Sequence, residues 1–142
     1  MKILKVLGVG FLLLVVIGLF VPDKKAPARP AAPPSVAVPV ASISALDLYA
    51  EFDTNAIAAE KRYARAPLIV FGHIKRIDKE LGRPYVTLAT RDPAWMVQCY
   101  FPAVLEPQLV NLRPDQFVRI QGRLAGKQLN VQLEDCTLLE AK

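Results

Sequence analysis

Hydrophobic and polar positions divide the chain into three textures. Residues 6–21 (VLGVGFLLLVVIGLFV) carry no charge and are apolar on every face, residues 22–42 show no periodic apolar face, and from Ile43 onward apolar positions recur with regular spacing. A run without a polar side suits a lipid environment better than a protein surface. As a helix it spans about 24 Å at ~1.5 Å per residue, against a hydrocarbon core of about 30 Å. Extending it back to Ile3, with Lys5 reaching its ammonium to the headgroups, recovers most of the deficit. The alternative is a cleaved export signal, whose small-x-small site normally follows the apolar run closely. The nearest candidate, Ala26-Pro27-Ala28, lies beyond Lys24 and Lys25 and is poorly placed, so residues 1–21 are read as a retained membrane anchor. Residues 22–42 hold six Pro and six Ala. Such a stretch builds no core and reads as a polyproline-like spacer of at most about 65 Å.

Residues 43–142 form the folded domain. Ser44 can cap a helix through Leu46, Leu48, Tyr49 and Phe52. Thr54 or Asn55 can cap a second, carrying Ile57, Ala58, Ala59 and Tyr63 and ended by Pro67. The pattern then switches to five strands: 68–77, 85–90, 96–101, 116–124 and 128–139, with one or two helical turns at 104–112 between the third and fourth. Gly72 and Gly122 each interrupt the first strand of a candidate hairpin, where glycine often marks a bulge or sharp bend. Short N-terminal helices followed by β-β-β-α-β-β predict a mainly β domain, a five-stranded OB-fold barrel.

Charge changes the picture in one respect. The chain carries 18 Lys plus Arg and 13 Asp plus Glu, for a net +5. Residues 1–42 supply five of those basic groups and one acid, leaving 13 against 12 in the domain. The basic character therefore belongs to the leader and not to a polyanion-binding domain. Positive charge flanks the apolar run on both sides, so it does not fix orientation. Cys99 and Cys136 are the only cysteines and have no metal-ligand spacing. An even pair behind an export signal reads as one disulfide in an oxidising compartment; the alternative is two buried reduced thiols. In an OB-fold the third and fifth strands meet, which would bring Cys99 and Cys136 together, and closing that loop would stabilise by roughly 3–4 kcal/mol. The expected location is the inner membrane, single-pass through residues 3–21, with the domain in the periplasm or outside the cell, or secreted if the leader is cleaved. No Cys precedes Cys99, so a lipid-modified N-terminal cysteine is not expected.

The domain resembles the tRNA_anti-like OB-fold family, small bacterial envelope proteins for the most part. The resemblance rests on Asn55-x-x-Ala58-Ala59-x-x-x-Tyr63, Gly72-x-Ile74, Tyr85-Val86-x-Leu88, Cys99-x-Phe101, Val118-x-Ile120-x-Gly122 and Leu133-x-x-Cys136-x-Leu138, in that order. It implies the barrel and the envelope setting, and it transfers no functional residue.

Candidate chemistry is sparse. Serine occurs only at positions 35, 42 and 44, His73 is the sole imidazole, and no Gly-rich phosphate loop or metal cluster is present in the sequence. Adjacent Glu134 and Asp135 should point to opposite faces of a strand, the wrong arrangement for a cooperating acid and base. Neither an enzyme nor a cofactor is expected. OB-folds take ligands across the second and third strands, between the loop joining strands one and two and the loop joining strands four and five. The residues available there are Arg76, Lys79, Arg83, Tyr85, Trp95, Tyr100, Arg123 and Lys127. Five cations and three rings raise single-stranded nucleic acid as a ligand, but neighbouring acids and the near-neutral domain disfavour it. The preferred reading is a non-catalytic envelope module that binds a protein, glycan or small ligand.

Overall fold

The structure, a computed structural model, describes residues 40–142. The expected membrane segment and most of the spacer lie outside these residues. No helix among those described is long and apolar enough to cross a membrane. The element order is β1 (Ala41–Ser44), α1 (Ala45–Tyr63), β2 (Leu68–Glu80), β3 (Arg83–Leu88), β4 (Val97–Tyr100), a 3-10 segment (Ala103–Gln108), β5 (Phe117–Lys127) and β6 (Val131–Ala141). The five expected strands are β2 to β6.

β2 is long enough to serve two neighbours, and that closes the barrel. Its first half pairs antiparallel with β5, from Leu68↔Gly122 to His73↔Phe117. Its second half pairs antiparallel with β3, from Ile74↔Leu88 to Glu80↔Arg83, with a register irregularity between Ile74 and Arg76. β3 continues to β4, β4 pairs parallel with β6, and β6 returns antiparallel to β5. This is the five-stranded OB-fold closure, and the sequence-based expectation of that fold holds. The 104–112 stretch forms only the short 3-10 segment, after which Leu109 packs into the core. β1 is an addition: Ala41–Ser44 lies parallel to Leu68–Phe71 and extends the sheet. Its first two residues read as spacer because an edge strand held by backbone hydrogen bonds needs no apolar alternation.

Ser44 ends β1 and caps α1, its Oγ accepting from the Asp47 N–H at 3.0 Å. Within α1, Asn55 leaves helical geometry (φ −159°, ψ 90°) and its Oδ1 accepts from the Ala58 N–H at 3.1 Å. Asn55 is thus the second cap. Thr54 instead donates to the Ala50 carbonyl, 2.8 Å away. The kink resets the helical period: Leu48, Tyr49 and Phe52 are buried before it, Ala59 and Tyr63 after it, and Ile57 faces solvent.

Inside the barrel, Leu68, Val70, Ile74, Val86, Leu88, Val97, Val118, Ile120, Val131 and Leu133 alternate inward on their strands and are fully buried. Leu133 and Cys136 both point inward although three residues apart, which a regular strand forbids. Asp135 adopts φ +50° and the β5–β6 register shifts beside it, so one extra residue of β6 is absorbed at that point. Gly122 lies opposite, and a Cβ there would stand 2.7 Å from the Cys136 sulfur. Gly72 answers a different need, with the Ala45 Cβ 3.3 Å from where its own Cβ would be. Cys99 and Cys136 are neighbours in the core, but the expected disulfide is not formed. Both are buried free thiols, and the neighbouring Cys99 thiol together with burial pushes the Cys136 thiol up. The β4–β6 register sets Cys99 beside Leu133 and not beside Cys136.

A polar cleft between two hairpins

Alternation along β3, β4 and β6 turns Val86, Leu88, Val97, Cys99, Val131 and Leu133 inward, leaving Tyr85, Thr87, Gln98, Tyr100 and Gln132 on the outer side. The β2–β3 hairpin flanks this face at one side and the β5–β6 hairpin at the other. Between them is a cleft of about 370 Å³ lined by Lys79, Glu80, Tyr85, Gln98, Tyr100, Gln128, Leu129, Asn130 and Gln132.

A continuous hydrogen-bonded chain crosses the cleft. Asn130 Nδ2 donates to Gln98 Oε1 (3.2 Å), Gln98 Nε2 to the Tyr100 hydroxyl (2.9 Å), and that hydroxyl to Glu80 Oε2 (2.5 Å). Asn130 Oδ1 also accepts from the Met96 N–H at 2.9 Å, tying the β5–β6 hairpin to the start of β4. Tyr100 is 7 % exposed. Burial, then its hydrogen bond to Glu80 and that carboxylate's charge, push its phenol up to about 12. Tyr85 lies opposite Tyr100 on the neighbouring strand, ring centroids 5.6 Å apart, and is itself half-buried. The Arg83 guanidinium covers the Tyr100 ring at 4.7 Å.

Four of the five cations that sequence reasoning offered to a polyanion are engaged with acids. Lys79 pairs with Glu106 at 2.5 Å, Arg83 with Glu134 at 3.3 Å and Arg123 with Asp135. Lys127 lies 3.6 Å from Asp53 and 4.7 Å from the Tyr49 ring, docking the β5–β6 hairpin onto α1. Of the five, Arg76 alone has no acidic partner among the described residues. Glu134 and Asp135 are thereby held by different arginines.

Of the eight candidates, Lys79, Tyr85 and Tyr100 line the cleft and Arg83 stands over its aromatic floor. Arg76, Trp95, Arg123 and Lys127 do not line it. Trp95 packs against the core from the β3–β4 connection, its carbonyl accepting from the Thr90 hydroxyl. His73 stands on β2, its ring edge-on to Phe117 and its Nδ1 2.9 Å from the Asp115 carbonyl oxygen. Among the described residues no group of three or more His, Cys, Asp and Glu could hold a metal. The cleft residues that sequence reasoning missed are Glu80, Gln98, Gln128, Leu129, Asn130 and Gln132. Two of these carried a usable signal: Gln98 is two positions from Tyr100 on one strand, and Gln132 lies next to inward-facing Val131 and Leu133. The other four depended on hairpin boundaries.

The sequence pattern of the tRNA_anti-like family matches residues 1–137. The chain belongs to the tRNA_anti-like family. Among solved structures it is similar to a lipoprotein of Klebsiella pneumoniae to which nucleic-acid binding has been ascribed. That likeness has a TM-score of 0.57 and 16 % identity, over 71 % of this chain and 92 % of that one. It is also similar to an OBody bound to hen egg-white lysozyme (TM-score 0.43, 14 % identity, 57 % of this chain and 88 % of that one). A second such complex gives a TM-score of 0.40 at 18 % identity, over 53 % and 80 %. No curated protein matches the chain. At 16 % identity the likeness to the Klebsiella lipoprotein speaks for the fold alone, which this tRNA_anti-like domain shares.

Proposed function

We propose that this tRNA_anti-like protein is a non-catalytic binding module held at the cell envelope, and that the cleft between the β2–β3 and β5–β6 hairpins is its working surface. The observation that carries this reading is the Asn130–Gln98–Tyr100–Glu80 chain. It fixes Asn130, Gln98, Tyr100 and Glu80 in one arrangement before any ligand arrives, which lowers the ordering cost of binding. The position is where OB-folds take ligands. The uncharged run at 6–21 and the Pro/Ala spacer support an envelope setting, as does the lipoprotein nature of the Klebsiella relative.

Single-stranded nucleic acid is a second reading, favoured by the activity ascribed to that relative and by the Tyr85–Tyr100 pair. Against it, the charges of Lys79 and Arg83 are matched by Glu106 and Glu134, which leaves little net attraction for a phosphate.

A photo-crosslinking amino acid placed at Leu129, on the cleft, and at Ile57, on the exposed side of α1, tests the working surface in membranes of cells making the full chain. Light-dependent adducts are expected from position 129 and not from 57. Equal labelling at both, or none at 129, would remove the cleft from consideration. In the same cells, a C-terminal fusion to an enzyme active only after export should be active; activity of a cytosol-dependent reporter instead would refute the envelope setting.

A further inference from the structure

We propose that the cleft takes an uncharged, N-acetylated oligosaccharide. The inference rests on the cleft being the working surface and names the ligand class that its chemistry fits.

Charge is the first constraint. At the rim, Lys79 is paired with Glu106 and Arg83 with Glu134, and Glu80 accepts from the Tyr100 hydroxyl. With Glu80, Glu106 and Glu134 against Lys79 and Arg83, the rim presents no net positive charge to draw an anion in. A neutral ligand leaves these contacts all in place.

The second constraint is the kind of polar group on offer. Four side-chain amides line the cleft: Gln98, Gln128, Asn130 and Gln132. Each presents two N–H donors and a carbonyl acceptor. Gln98 and Asn130 are engaged in the crossing chain, whereas the Gln128 and Gln132 side chains make no hydrogen bond within the described residues. Paired donors and acceptors match vicinal hydroxyls, which both give and take hydrogen bonds, and match an acetamido group in the same way. Tyr85 supplies a half-buried ring on which the C–H face of a pyranose can lie. Leu129 is 66 % exposed on the same cleft and provides an apolar contact for an acetamido methyl. The volume, about 370 Å³, is at the small end for ligand sites and suits a short stretch of a linear chain laid across the face.

An extended peptide fits less well. Peptide recognition by strand addition needs an open sheet edge, and at the cleft β3 lies between β2 and β4 while β4 lies between β3 and β6. Those backbone groups are already paired.

The test uses the full chain in detergent micelles, titrated calorimetrically with chitotetraose, with maltotetraose as the analogue lacking acetamido groups and oligothymidine as the polyanion. Chitotetraose should bind with an affinity that changes less than about twofold between roughly 50 and 500 mM salt, since no counterions are released. Tyr85→Ala and Gln132→Ala should each weaken it at least tenfold, and Lys61→Ala, on the solvent side of α1, should leave it unchanged. Maltotetraose should bind at least tenfold more weakly. Circular dichroism of each variant separates lost binding from lost folding. No saturable binding of chitotetraose by the folded protein, or equal affinity for maltotetraose, overturns the ligand class. If oligothymidine binds instead, steeply weakened by salt and lost in Tyr85→Ala, the cleft stands and the sugar falls. Chitotetraose binding that survives both cleft substitutions overturns this inference and the working surface together.

Discussion

Tyr100 shows at a single residue how the cleft is held. Its ring is buried against Tyr85 and Arg83, and its hydroxyl gives one hydrogen bond to Glu80 and accepts one from Gln98. Burial first, then the hydrogen bond to Glu80 and that carboxylate's charge, favour the neutral phenol, which is why its pKa rises from 10.0 to about 12. A group raised in the folded state stabilises fully below its unfolded pKa and loses that contribution as pH climbs through the folded value. Stability should therefore be intact up to about pH 10 and fall between there and about 12. Tyr100→Phe should lower stability by about 1–2 kcal/mol at neutral pH, the cost of leaving Gln98 and Glu80 short of a partner, and should flatten the alkaline decline. Urea unfolding from pH 8 to 12 checks both; an unchanged alkaline decline in the variant would place the titrating group elsewhere. Leu81 makes the opposite point. It stands at the β2–β3 turn with φ +48° and 99 % of its surface exposed, a combination that nothing in its own chemistry announces. Left-handed backbone is expected of the glycine beside it, Gly82 at φ +78°, and not of leucine.

Among the elements, the strands were readable because each is a run of β-branched and aromatic residues that alternates inward and outward. Val118, Ile120 and the glycine that follows announce β5; Val86 and Leu88 announce β3. The helix caps were readable too, since Ser44 and Asn55 are side chains that accept from the backbone N–H three residues on. The bulge at Asp135 was not readable, because it rests on a backbone angle that the residue type permits without requiring. It decides which way Cys136 points, and with it why Gly122 must be glycine. Gly122→Ala would drive a Cβ to 2.7 Å from the Cys136 sulfur and 3.3 Å from the Glu134 carbonyl oxygen. The expected cost is about 1–3 kcal/mol, the usual range for overfilling a packed core. In a Cys136→Ala background the same substitution should cost less, because the atom it strikes is gone, and the difference between the two costs is the coupling that a double-mutant cycle reads. Strictly additive costs in urea unfolding would mean that the two residues do not oppose each other across β5 and β6.

For the whole molecule, the leader and the domain answer to different physics. The net charge of +5 suggests a polyanion-binding protein until its position along the chain is considered, and then the domain is nearly neutral. The structure carries this one step further by pairing the cations nearest the cleft with Glu106 and Glu134. Sequence could count those charges but not pair them, since the partners lie 27 and 51 positions away. Arg123 and Lys127, offered by the sequence as possible ligand-binding residues, stand against Asp135 and against Asp53 and Tyr49 respectively. What remains at the cleft is a set of amides and two tyrosine rings, of which Asn130, Gln98 and Tyr100 are joined with Glu80 in one hydrogen-bonded chain. Hydrogen exchange of the full chain in micelles, with and without solubilised cell-envelope material, tests most directly whether that surface is where the protein works. Slowed exchange is expected in residues 79–87, 97–100 and 127–134, which bracket the cleft, with α1 unaffected. Protection centred on α1 or β1, with none across β3, β4 and the β5–β6 hairpin, would contradict the account.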